Sequence, residues 1–152
     1  MKTHISTSKT VVLRDATLHY AALATPKDFF GQGNAYQLQV RTEDAEVAAK
    51  WSEAGIKVKS FMDLSGNTKP YFYASLKRWE KEGREGVIVC DSEKNIMDAD
   101  TIAKIGNGSK GHVKLYTYQY EADNGSKGTA AQMVAVMVTE LNVWEAEGTL
   151  DF

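Results

Sequence analysis

Lys69–Trp79 reads KPYFYASLKRW, and His112–Tyr120 reads HVKLYTYQY. Side chains alternate across a strand. In the first stretch Lys69, Tyr71, Tyr73, Ser75, Lys77 and Trp79 therefore share one face, with Phe72, Ala74 and Leu76 on the other. In the second, His112, Lys114, Tyr116, Tyr118 and Tyr120 oppose Val113, Leu115 and Thr117. The apolar sets are suited to a core. The other two faces carry exposed rings flanked by ammonium groups, which suits single-stranded nucleic acid: bases stack on rings while phosphates meet Lys and Arg.

Outward from these strands, the chain reads as mainly β. Thr10–Ala24 is rich in β-branched residues and predicts a strand bent near its middle, ended by Thr25-Pro26. Phe29–Gly33 (FFGQG) is a turn or loop. Ala35–Thr42 alternates with Tyr36, Leu38 and Val40 inward, which sends Gln37, Gln39 and Arg41 outward onto a compatible binding face. Thr42–Ala54 is the one clear helix, with Thr42 as N-cap, acids in its first turns, Gly55 ending it, and Val47, Ala48, Trp51 and Ala54 as its apolar stripe. Trp51 thus belongs to the core rather than the binding set.

A short strand is expected at Ile56–Phe61, a turn at Ser65–Asn67, a charged turn at Glu80–Gly86 and a strand at Val87–Cys90. Ala122–Gly128 signals a hairpin, and Ala131–Trp144 reads as a central strand, apolar on both faces. With several short strands, one helix and Gly-rich turns, the expected fold is a small, mainly β barrel. At 152 residues it forms one domain over 1–144, followed by a short acidic tail, 145–152, that ends in Phe.

The net charge of −2 is unevenly spread. Lys104–Tyr120 holds Lys104, Lys110 and Lys114 and no acid, and Ile56–Trp79 holds five basic residues against Asp63 alone. Local field decides where a polyanion settles. No apolar run approaches the roughly 20 residues of a membrane span, and MKTHISTSKT has no apolar segment of signal-peptide type, so a cytoplasmic protein is expected.

The sequence announces no catalytic arrangement. Cys90 is the only cysteine and reads as a buried, inert thiol; His4, His19 and His112 stand apart from it and from one another. Asp91, Asp98 and Asp100 lie among turns and read as solvated loop acids. Gly106–Gly111 (GNGSKG) departs from a P-loop because His112 and Val113 follow it, which leaves a turn bearing the surface residue Lys110. A non-enzyme without metal or cofactor is expected.

YASL (Tyr73–Leu76), VIVCDSEKNIM (Val87–Met97), IGNGSKGHVKLY (Ile105–Tyr116) and VMVTEL, ending at Leu141, together resemble the single-stranded DNA-binding proteins of short-tailed phages. These are OB-fold proteins of replication and recombination, so the resemblance implies a five-stranded OB-fold-like barrel with one helix and β-hairpin extensions. The likeness is strongest beyond residue 69. It implies sequence-nonspecific binding of single-stranded DNA inside an infected bacterium, a homodimer, and contacts with the phage polymerase and helicase/primase. It also matches Tyr73 and Tyr116 to base-stacking positions, and the acidic end to a partner handle formed by Glu145, Glu147, Asp151 and Phe152. The expected site thus comprises Tyr71, Tyr73, Trp79, Tyr116 and Tyr118 stacking on bases, with Arg41, Lys69, Lys77, Lys110 and Lys114 on phosphates. Two other readings fit the same residues: an RNA chaperone of cold-shock type, and a β-barrel whose tyrosines form a protein interface.

Overall fold

The structure, a computed structural model, describes residues 3–122 and 124–143. In chain order it runs β1 (Thr3–Asp28), β2 (Asn34–Thr42), α1 (Ala45–Glu53), β3 (Lys59–Phe61), β4 (Tyr71–Trp79), β5 (Ile88–Asp91), α2 (Ala99–Ile102), β6 (Ser109–Ala122) and β7 (Lys127–Glu140). All seven strands join one sheet in the order β3-β4-β2-β1-β6-β7-β5, antiparallel except for the β5–β7 pair. The mainly β, OB-like expectation holds. The strand count is seven rather than five, α2 joins the expected helix, and the ladder does not close into a ring.

Side chains supply the closure. Arg78 points from β4 toward β7, its Nε donating to the Glu85 carbonyl at 3.0 Å and Nη1 to the Met133 carbonyl at 3.3 Å. Burial, followed by the charge of Arg84, lowers the pKa of this guanidinium from its ordinary value. Inside lie Leu13, Leu18, Leu38, Val40, Leu76, Val113, Leu115, Met133 and Val136, with Trp51 of α1 only 3% exposed among them.

β1 differs most from its reading. It continues past Thr25-Pro26 to Asp28 instead of ending there. Pro26 is tolerated because it falls in an irregular stretch between the pairs Ala22↔Gln37 and Lys27↔Ala35, where no ladder donor is needed. The expected bend is present: Asp15 (φ 56°) and Tyr20 (φ 52°) take left-handed backbone at two shifts of register. β7 starts four residues before its reading and ends at Glu140. α1 is capped by Asp44, whose carboxylate accepts from Glu46 N at 2.8 Å, whereas Thr42 Oγ1 accepts from the Asp44 amide one step earlier. Cys90 is half-buried in β5 rather than buried.

Where β6 passes β7, Gly111 is obligatory. A Cβ there would run into the Met137 carbonyl oxygen. The close approach lets β6 cross the sheet between β1 and β7 and project its even-numbered side chains to one side.

Candidate nucleic-acid interface

Alternation in β4 is as read: Ala74 and Leu76 are buried, and Tyr71, Tyr73, Ser75, Lys77 and Trp79 face away from them. Cross-strand pairing fixes what lies beside each ring. Tyr73 sits opposite Arg41 on β2 and Lys59 on β3, Ser75 opposite Gln39, and Lys77 opposite Gln37. Arg41 in turn sits opposite Thr17, and Thr17 opposite Lys110. One row across the sheet therefore reads Lys59, Tyr73, Arg41, Thr17, Lys110.

Two ring-and-cation stations stand on this face. In the first, the Arg41 guanidinium lies 4.3 Å from the centroid of Tyr71 and 5.4 Å from that of Tyr20. Its Nε donates to Gln39 Oε1 at 2.6 Å and Nη2 to the Tyr20 hydroxyl at 3.4 Å. Tyr71 is also stacked on Phe61, with centroids 5.0 Å apart and planes at 24°, and leans toward Tyr73 at 5.9 Å. In the second, Lys77 Nζ lies 4.4 Å from Phe29 and 4.7 Å from Trp79, two rings that meet edge to face at 5.5 Å. Phe30 is packed edge-on against Phe29 and is 84% exposed.

A cleft beside the first station is lined by Arg41, Lys69, Lys110, His19 and Tyr71, and also by Asp15 and Glu43. Three of the five expected phosphate ligands thus meet in one depression. Lys110 also faces Glu140 at 4.0 Å, a solvent-exposed pair of little worth that a phosphate can replace. His19 is held below its ordinary pKa, first by burial and then by the Arg41 charge. A phosphate in the cleft would oppose the second of these effects.

Lys114, Tyr116 and Tyr118 are placed apart from this cluster. The core face of β6 is as read, with Val113, Leu115 and Thr117 buried, and Lys114 and Tyr116 are exposed on the other face. Tyr116 and Tyr118 stand 5.9 Å apart at 37°. Tyr116 follows Lys110 by six residues, a run of about 20 Å at strand spacing. Among the described residues no ring or cation contact joins the β6 tyrosines to Arg41 or Lys77. Glu145, Glu147, Asp151 and Phe152, the expected partner handle, lie outside the described residues.

The sequence reading missed Tyr20, Phe29, Phe30, Phe61 and His19. Alternation from buried Leu18 would send Tyr20 inward. Its left-handed backbone, held by a bond from its amide to Asn107 Oδ1 at 2.8 Å, turns it out to 62% exposure. Phe29 and Phe30 sit in the turn after β1, where no strand period applies. The Gly106–Gly111 turn thus has a structural task beyond carrying Lys110: its Asn107 secures the bulge that presents Tyr20.

No protein-family model matches the sequence, and no curated protein matches it significantly. Solved structures do match, and they define the class of fold: that of phage-encoded single-stranded DNA-binding proteins. The single-stranded DNA-binding protein of bacteriophage Enc34, in complex with single-stranded DNA, matches at TM-score 0.66 with 12% identity, over 88% of this chain and 87% of that one. A second structure of the single-stranded DNA-binding protein of bacteriophage Enc34 matches at 0.61, over 93% of this chain and 87% of that one, again at 12% identity. The single-stranded DNA-binding protein gp2.5 of bacteriophage T7 matches at 0.57 with 19% identity, over 95% of this chain and 98% of that one. At such identities the shared property is the fold.

Proposed function

We propose that this chain binds single-stranded DNA without strong sequence preference, through the β4–β2 face, in the replication or recombination of a phage genome. The observation that carries the reading is the pair of ring-and-cation stations, Arg41 with Tyr71 and Lys77 with Phe29 and Trp79, on the face that also bears Tyr73 and Lys110. Rings accept any base by its π-face, and the neighbouring cations follow the backbone. The fold shared with the Enc34 and T7 proteins supports the same ligand.

Tyr71, Tyr73 and Trp79 stack on bases in this reading, and Arg41, Lys69, Lys77 and Lys110 take phosphates. Lys114, Tyr116 and Tyr118 extend the track along β6 for longer strands. Homodimer formation, and docking of the phage polymerase and helicase/primase on the acidic tail through Glu145, Glu147, Asp151 and Phe152, belong to the same proposal and rest on the family resemblance.

Titrating intrinsic fluorescence with oligo-dT at several salt concentrations tests the reading. Binding should weaken steeply with salt, log affinity falling by roughly 0.7 per phosphate neutralised. Salt-independent or absent binding would favour a tyrosine-lined protein interface. Preference for a matched RNA oligomer would favour the RNA chaperone.

A further inference from the structure

The loop between β3 and β4 carries large apolar side chains into water. Leu64 is 97% exposed and Met62 70%, next to Phe61, which begins the Phe61–Tyr71–Tyr73 run of rings. An isolated exposed leucine is ordinary. Here the loop that bears it is locked. The Asp63 carboxylate accepts from the Ser65 amide at 2.9 Å, the Ser65 hydroxyl at 2.6 Å and the Thr68 amide at 3.0 Å, while Gly66 N donates to the Asp63 carbonyl at 3.1 Å. The turn closes at Gly66, whose φ of 76° suits glycine. Those bonds hold Asp63 below its ordinary pKa, the Ser65 hydroxyl acting most.

The loop's far side belongs to the basic cleft: Asn67, Thr68 and Lys69 line it together with Arg41, Tyr71 and Lys110. A braced apolar tip therefore belongs to the same loop that lines the basic cleft through Asn67–Lys69, and it follows directly on Phe61, the first of the row of rings. Apolar side chains in that position, above all Leu and Met, can enter a base step and unstack it.

We propose that Leu64, seconded by Met62, is a wedge that separates paired bases at the junction where a duplex meets the strand held in the cleft. This rests on the single-strand reading above. The rings and cations bind the released strand; the wedge meets the last stacked pair and takes the place of its neighbour. It gives the chain a role in opening secondary structure that is distinct from binding strands already open.

A DNA hairpin with an oligo-dT tail and 2-aminopurine in the pair next to the tail tests it, alongside plain oligo-dT. Leu64→Ser and the double variant Met62→Ser/Leu64→Ser change exposed positions, so both should fold and bind oligo-dT within about twofold of the parent. Protein-induced opening of the stem should fall roughly tenfold or more, the worth of one leucine side chain removed from water. Asp63→Ala, which releases the brace, should reduce opening in the same direction. Stem opening unchanged in the double variant overturns the wedge, as does a parent that binds the tail without opening the stem. Equal losses on hairpin and oligo-dT would also overturn it, because the tip would then be part of the single-strand track. A parent that fails to bind oligo-dT at all removes the underlying reading instead, an outcome plain from the first titration.

Discussion

Replacing Arg41 tests the interface where its parts meet. In the free protein this guanidinium lies over Tyr71 and donates to Gln39 and to the Tyr20 hydroxyl. Arg41→Ala removes a cation that meets phosphate and the group that orients the Tyr71 ring. A partly exposed ion pair contributes about 0.2–1 kcal/mol, and a cation–π contact of this kind about 0.5–1 kcal/mol. The cation–π contact is made in the free protein and released on binding, so it offsets the phosphate contribution, and the loss should stay below about 1 kcal/mol, or about fivefold in affinity for oligo-dT. The slope of log affinity against log salt should become shallower by about 0.7. Arg41→Lys keeps the charge, so the slope should remain and the affinity for oligo-dT should stay within about fivefold of the parent. Tyr71→Ala should cost about 1–3 kcal/mol, and the double variant should depart from the sum of the two, because the single changes break one shared contact. Fluorescence titrations across a salt series, with melting temperatures as a folding control, supply every quantity. A folded Arg41→Ala with the parent's affinity and slope would refute the assignment of this station.

Tyr116→Ala should depend on ligand length. With the ring about 20 Å along β6 from Lys110, the change should be silent on oligomers of about five nucleotides and cost about 1–3 kcal/mol on those of about fifteen, whereas Tyr73→Ala should weaken both; equal losses at both lengths would place the β6 tyrosines within the central site. Trp51→Ala, which empties a core position, should cost about 3–5 kcal/mol of stability in a denaturant titration and leave the slope of binding against salt unchanged. Because burial and Arg41 lower the pKa of folded His19 below 6.5, the unfolded chain binds the extra proton more readily, so stability should decline as pH falls through the region just below 6.5. Bound phosphate reverses the electrostatic cause, so oligo-dT affinity should rise as pH falls through the same region, with proton uptake measurable by calorimetry in two buffers; His19→Gln should flatten both trends.

The fold was legible wherever one face of a strand is buried and the other wet. Ala74 and Leu76, Leu38 and Val40, and Val113 and Leu115 all point inward as the period of two requires, and the same period sent both Tyr73 and Arg41 outward, while the pairing of β4 with β2 sets them side by side. It failed where the backbone breaks that period. Tyr20 is turned out by a left-handed residue at a register shift, and a local sequence such as TLHYAALA carries no sign of it because the bond that holds it comes from Asn107, 87 positions away. Phe29 and Phe30 follow a strand through Pro26, where the proline suggested an end and the irregular pairing with β2 removed the need for one. The β6 tyrosines were read correctly as a face. Their separation from the β4 tyrosines depends on strand order, and alternation carries no information about which strands are neighbours.

The resting state of the two stations bears on how a strand would enter. Arg41 covers a face of Tyr71, and Lys77 lies between Phe29 and Trp79. A base cannot stack on a face that a cation occupies, so binding at either station has to move the cation aside. The contact it leaves is worth about 0.5–1 kcal/mol, less than the roughly 1–3 kcal/mol of the base stack that replaces it, and the displaced cation is already within reach of the phosphate that accompanies the base. The exchange therefore runs downhill on both counts. Until it happens, the cation shields an otherwise exposed aromatic face from water and from other proteins, which is a useful property in a chain whose proposed binding surface is a row of rings.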